Sequence, residues 1–292
     1  MRFVQTTSLV IWIFALLAVP ASADSEEKAR QAFADGQALL AKADFEGALA
    51  AIKTAAKAQS KNPEYTQLYT LLRQVVQLRK QLPKEKNLER WMQGAGSLHT
   101  FYHDYELFAQ SLPLDEDRYR RSPSAESAVL LAETQLALGM YSQAAEILGG
   151  LSTESQSPRA RVLHRLALAR QGRVDDAHSL TENPNEVDAS AGPSFFYDLA
   201  RLLAVVGKRN ESLRSLTRAI ELTAPDQLEA FKERIRKCKD FSTARETSEF
   251  AEVMKTASII KESGCSGGSG CGKCPKRAGC GSKNSPKTDD KP

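Results

Sequence analysis

Cys265, Cys271, Cys274 and Cys280, four of the chain's five cysteines, fall inside the stretch GCSGGSGCGKCPKRAGCGS, residues 264 to 282. Thiolates this close together could do three things. Four of them could hold zinc tetrahedrally, although only Cys271 and Cys274 have the two-residue spacing of a zinc knuckle. Copper(I) is softer and asks less of the spacing. In an oxidising compartment the same four could close two disulfides. Lys273, Lys276 and Arg277 would favour the thiolate form whichever chemistry applies. The pair in CGKC lacks the strand-to-helix setting of a dithiol redox motif. The glycines make ordering of this backbone costly, so the segment reads as a flexible tail that acts through its sulfur atoms. An inert extension is the remaining alternative.

Elsewhere the reactive side chains are sparse. His99 and His103 are four apart, which places them on one helix face at the spacing of a zinc-binding pair. A zinc hydrolase of the HExxH type would need Glu where Thr100 stands, so a partly buried aromatic patch with Phe101, Tyr102 and Tyr105 is the expected reading. Cys238, in RIRKCKDF, has flanking cations that would lower its pKa if exposed, and reads by default as a structural cysteine. No GxSxG elbow and no GxxxxGK[ST] phosphate loop is present. The chain is not expected to be an enzyme, and no cofactor is implied beyond copper or zinc at the tail cysteines.

The elements that carry these residues follow from composition. The 292 residues are 41% hydrophobic and only 7% aromatic, and the recurring Ala, Leu, Arg, Glu and Gln favour helix. At the N-terminus, Arg2, the uncharged apolar run Leu9 to Val19 and the small residues Ala21-Ser22-Ala23 read as a secretory signal, residues 1–23, cleaved after Ala23. A secreted or periplasmic protein with no membrane span after cleavage is expected. Its formal charge would be 39 basic against 36 acidic groups, and residues 261–292 alone hold seven basic against three acidic. The basicity therefore sits in the tail, and the body carries no sign of a nucleic-acid surface.

Between these ends the chain repeats. AFADGQALLAKADFEGALAAIKTAAKA, LLAETQLALGMYSQAAEILGGL, HRLALARQGRVDDAHSL and YDLARLLAVVGKRNESLRSLTRAIELTAP each read as helix, tight turn and second helix. A small residue follows each turn at Ala48, Ala144, Ala177 and Ser212, with Gly139, Gly172 and Gly207 five positions before the last three. The spacings of 33 and 35 residues between the last three units, and small residues where helices approach closely, resemble the tetratricopeptide repeat family. In that register Gly36, Ala48, Ala55, Ala200 and Ala219 occupy the small positions, Pro225 stops the last helix, and Arg165 stands where a small residue is usual. The resemblance implies an all-α solenoid of helical hairpins, a tetratricopeptide-like superhelix, over residues 24–224, degenerate in 64–121.

The interval from Ala48 to Ala144 is 96 residues, close to three periods. It should be filled by an amphipathic helix in EYTQLYTLLRQVVQLRKQL and an eroded hairpin in LERWMQGAGSLHTFYHDYELFAQSL. Residues 225–260 read as capping helices, with Asp226 as an N-cap and Phe241, Phe250, Val253 and Met254 covering the last repeat. They are similar to the degenerate units that close such arrays in some bacterial proteins. Residues 261–292 form the disordered tail.

The resemblance also implies a concave face built from the first helix of each hairpin, with Arg30, Phe33, Gln37, Glu126, Glu133, Arg159, Arg170, Tyr197 and Arg201 directed inward. The family's clamp for a peptide C-terminal carboxylate uses lysines and asparagines; Phe33, Val129, Val162 and Tyr197 stand there instead. The expected function is an exported scaffold or adaptor holding a protein or peptide partner in the groove. The alternative is a metal-binding or thiol-redox accessory protein acting through the tail. The oligomeric state is open.

Overall fold

The computed structural model describes residues 21–179 and 191–261. The four tail cysteines, and all but the last three residues of the expected signal, lie outside that range. Within it every regular element is helical.

Five helical hairpins follow one another: α1 (Ala21–Ala41) with α2 (Phe45–Ala58), α4 (Leu88–Asp104) with α5 (Phe108–Arg121), α6 (Ala125–Ala137) with α7 (Tyr141–Gly149), α8 (Pro158–Arg170) with α9 (Val174–Ser179), and α10 (Pro193–Val205) with α11 (Arg209–Glu221). A lone helix, α3 (Pro63–Gln81), separates the first hairpin from the second. The array closes with α12 (Leu228–Lys237) and α13 (Ser248–Val253). The protein is thus an all-α helical-repeat solenoid.

All five hairpins turn in the same way. One residue adopts left-handed backbone, at Ala43 (φ 58°), Glu106 (57°), Gly139 (77°), Gly172 (81°) and Gly207 (82°). The N–H of the residue after it reaches back to a carbonyl five positions earlier, as in Leu107 to Tyr102 at 2.7 Å and Met140 to Gln135 at 2.8 Å. This closure satisfies carbonyls that the end of the first helix would otherwise leave without partners. Five positions after each left-handed residue a small side chain is buried between the two helices: Ala48, Ser111, Ala144, Ala177 and Ser212. At the first crossing the approach is tight enough that a Cβ on Gly36 would meet the Ile52 side chain at 2.4 Å.

The interval expected to hold nearly three periods contains a single helix and one hairpin. α3 buries Leu68, Leu72, Val75 and Val76 but leaves Leu71 36% exposed. Arg165, at a position usually small, is buried on α8 among Leu163, Leu166 and Ala169. Asp226 does not cap α12: it lies in a 3-10 turn, Pro225–Gln227, and no side chain caps that helix. Phe241 and Phe250 are buried against the last hairpin, with Val253 and Met254 packed beside them.

Apolar packing forms three clusters, one over α1 to α4, one over α6 to α10 and one over α10 to α13. Between the first and second, where α5 meets its neighbours, the only side chains that α5 buries fully are Ser111 and Asp115. The core changes there from apolar to polar.

Candidate functional site: a charged groove and a buried polar knot

The first helices of the last four hairpins and the cap border an open cavity of about 410 Å³. α6 contributes Glu133, α8 contributes Arg159 and Arg170, α10 contributes Tyr197, Asp198 and Arg201, and the closing segment contributes Arg234, Lys237, Cys238, Lys239 and Asp240. Five sequence-nominated residues, Glu133, Arg159, Arg170, Tyr197 and Arg201, therefore meet in one place. The other four do not. Arg30 is exposed on α1 and paired with Glu27 at 2.6 Å, Gln37 is exposed, and Glu126 pairs with Arg118 at 3.1 Å outside the cavity. Phe33 is a core residue, stacked on Tyr65 with ring centroids 4.5 Å apart, so it offers no groove surface.

The groove floor is an ion ladder. Arg159 holds Glu133 through one guanidinium nitrogen and Asp198 through another at 2.8 Å. Arg201 contacts Asp198 at 3.4 Å and Asp240 at 2.8 Å, and Arg170 pairs with the second oxygen of Asp240. Three arginines thus alternate with three carboxylates and join α6, α8, α10 and the cap. Burial disfavours the Arg159 charge, but Asp198 and Glu133 more than offset it and hold that pKa above the ordinary arginine value. Tyr197 is kept a neutral phenol, its pKa raised by burial and by the neighbouring Cys238.

The rim differs from the floor. Arg234 lies over the Tyr197 ring at 4.9 Å and the Phe231 ring at 5.1 Å and makes no salt bridge among the described residues. Lys239 is exposed beside it. Lys237 reaches across to Glu106 at 3.5 Å, so the cap comes within reach of the second hairpin's turn. Floor charges cancel, and the unbalanced cations Arg234 and Lys239 stand at the rim. Cys238 is half-buried, its thiol 3.7 Å from an Asp240 oxygen.

The second polar assembly joins the His99 and His103 pair to Ser111, Asp115 and Thr134, which no sequence pattern links to it. Asp115 is fully buried, and three donors converge on it: the Ser111 hydroxyl at 2.8 Å and the Thr134 hydroxyl at 2.7 Å on one oxygen, and His99 Nδ1 at 2.8 Å on the other. A carboxylate oxygen only accepts here, so His99 carries its hydrogen on Nδ1. Thr134 has spent its one hydrogen on Asp115, so His103 Nε2 donates to it, at 2.7 Å. The His99 and His103 rings stack with centroids 4.0 Å apart. Burial, then the neighbouring His99, lowers the His103 pKa to about 3, and it is neutral at physiological pH. The expected aromatic patch exists in part, since Phe101 and Tyr102 are buried nearby, but the two histidines belong to this hydrogen-bonded knot. Ser111 Oγ, at 3.4 Å, and Asp115 both approach His99 at the same ring nitrogen, Nδ1.

No protein-family model matches the chain, and no curated protein matches it.

Proposed function

We propose that this protein is an exported, non-enzymatic scaffold of the tetratricopeptide type that holds a protein or peptide partner in its concave groove. The observation that carries this reading is the convergence of successive first helices on one open cavity with a charge-balanced floor and a cationic, aromatic-backed rim at Arg234 and Lys239. Arginine stacked on aromatic rings is a common source of binding energy in such surfaces. Export fits the structure as well. Cleavage after Ala23 would fall in the first turn of α1 and leave its buried residues Ala29, Phe33 and Leu40 in place.

The test is site-specific photo-crosslinking in the native compartment, with the reactive side chain placed at Lys239 on the rim or at Lys53 on α2. A discrete adduct from Lys239 that is lost with Arg234→Glu, and none from Lys53, is the expected result. Equal adducts from both positions would remove the groove from the function. The mature protein should also have the mass of a chain beginning at Asp24.

A second reading rests on the four clustered tail cysteines, which would bind copper or zinc or exchange disulfides. Truncation after Ser263 should remove tail-bound metal while leaving the unfolding midpoint of the helical body nearly unchanged.

A further inference from the structure

The knot between the second and third hairpins has the makings of a metal site independent of the tail. His99 and His103 are one turn apart on α4, Asp115 faces them from α5, and one ligand-capable atom of each lies within 4.8 Å of the others. We propose that His99, His103 and Asp115 bind a divalent first-row transition cation of the zinc class.

The donor set favours that class. Two imidazoles and one carboxylate suit zinc, copper(II) or nickel, whereas magnesium and calcium prefer oxygen alone. The spacing is close to what is needed. His99 Nδ1 and Asp115 Oδ1 are 2.8 Å apart, sharing one hydrogen. Tetrahedral zinc with bonds of about 2.0 Å sets neighbouring ligand atoms roughly 3.3 Å apart. A cation replacing that hydrogen needs a small outward shift of this pair, with His103, within 4.8 Å of both, closing on it as the third ligand.

The surroundings already do what outer-shell groups do around metals. Ser111 and Thr134 fix the other Asp115 oxygen and so aim Oδ1 at the imidazoles. Of the two arginines whose charge reaches His103, Arg159 is neutralised by Glu133 and Asp198, whereas Arg234 opposes a cation there. Access is present too: His103 lines the groove cavity, which offers an entry path and water for a fourth ligand position. Through Thr134 the bound ion would tie α4 and α5 to α6, at the point where the apolar core is interrupted.

The experiment uses the full chain with Cys265, Cys271, Cys274 and Cys280 changed to Ser, so that the tail cannot contribute. Cobalt(II) is titrated in and then displaced with zinc(II). One equivalent of cobalt giving visible d–d absorption without a sulfur-to-metal charge-transfer band, displaced one for one by zinc, is expected. Zinc should raise the thermal midpoint in a concentration-dependent way. His103→Gln should abolish both effects, and Thr134→Val should weaken binding by about 10- to 100-fold. Absence of saturable uptake, or uptake unchanged in folded His103→Gln, would overturn the proposal. If His103→Gln does not fold, the histidine ring resonances of the parent decide: cobalt must shift those of His99 and His103, and a shift confined to His164 and His178, or to no histidine, refutes the site.

Discussion

Two carboxylates, Asp115 and Asp198, are both buried almost completely, and the protein satisfies them by opposite means. Asp115 takes three hydrogen bonds, from the His99 ring on α4 and from the Ser111 and Thr134 hydroxyls on α5 and α6. Asp198 takes guanidinium contacts from Arg159 and Arg201, one on each oxygen. Donors that can change role tolerate loss of a charge, whereas donors with fixed charge do not. The knot should therefore behave as an adaptable hydrogen-bond network and the ladder as a rigid electrostatic one.

The largest expected effect breaks the ladder. In Asp198→Asn one of the two oxygens becomes an amide that cannot accept, so either Arg159 or Arg201 faces a donor. Removing one partner of a buried ion pair costs about 3–5 kcal/mol. Chemical denaturation of the variant should show a loss of that size, and a loss under 1 kcal/mol would show the ladder to be well solvated.

Next is the pH response of the knot. The folded His103 pKa lies near 3, depressed by burial first and then by His99, with Asp115 opposing and Arg234 and Arg159 adding to the depression. In the unfolded chain the group titrates near its ordinary value of 6.5. Its stabilising contribution is therefore complete above that value and is lost as pH falls toward 3. Between pH 7 and pH 5 the loss should be about 2 kcal/mol. Unfolding measured at both pH values in the parent and in His103→Gln isolates it, since the variant should lack that part of the slope.

A smaller effect sharpens the contrast. Asp115→Asn can keep its carbonyl oxygen toward Ser111 and Thr134 and turn its amide toward His99, which then shifts its hydrogen to Nε2 and accepts. The cost should be about 1 kcal/mol. A loss larger than that of Asp198→Asn would reverse the interpretation of both regions.

How far these regions could be read in the sequence follows from their chemistry. Gly139, Gly172 and Gly207 announce their turns because glycine adopts positive φ at no cost, and the small residue five positions later confirms each. The second hairpin has the same geometry, but Glu106 occupies the left-handed position, so Ser111, small like Ser212, has no turn glycine to mark it. The first helices expose an inner face whatever their side chains, which is why Glu133, Arg159, Arg170, Tyr197 and Arg201 could be nominated. The pairing of those arginines with Asp198 and Asp240 spans three elements and has no local pattern. Asp115 was equally hidden, because a lone Asp on a charged helix such as LPLDEDRYRR looks solvated until its neighbours are known.

The smallest expected effects compare the turns themselves. At Gly172 a Cβ would meet nothing within 4 Å, so Gly172→Ala adds no clash, and its cost is that of left-handed backbone alone, about 1 kcal/mol. Ala43 already bears that strain at φ 58° in the first hairpin. Ala43→Gly relieves it while giving the unfolded chain more freedom, and the two nearly offset, leaving a gain of up to about 0.5 kcal/mol. Opposite signs in thermal unfolding of the two variants are expected. Equal destabilisation would mean that the Ala43 side chain, packed against the first apolar cluster, contributes more than its backbone strain costs.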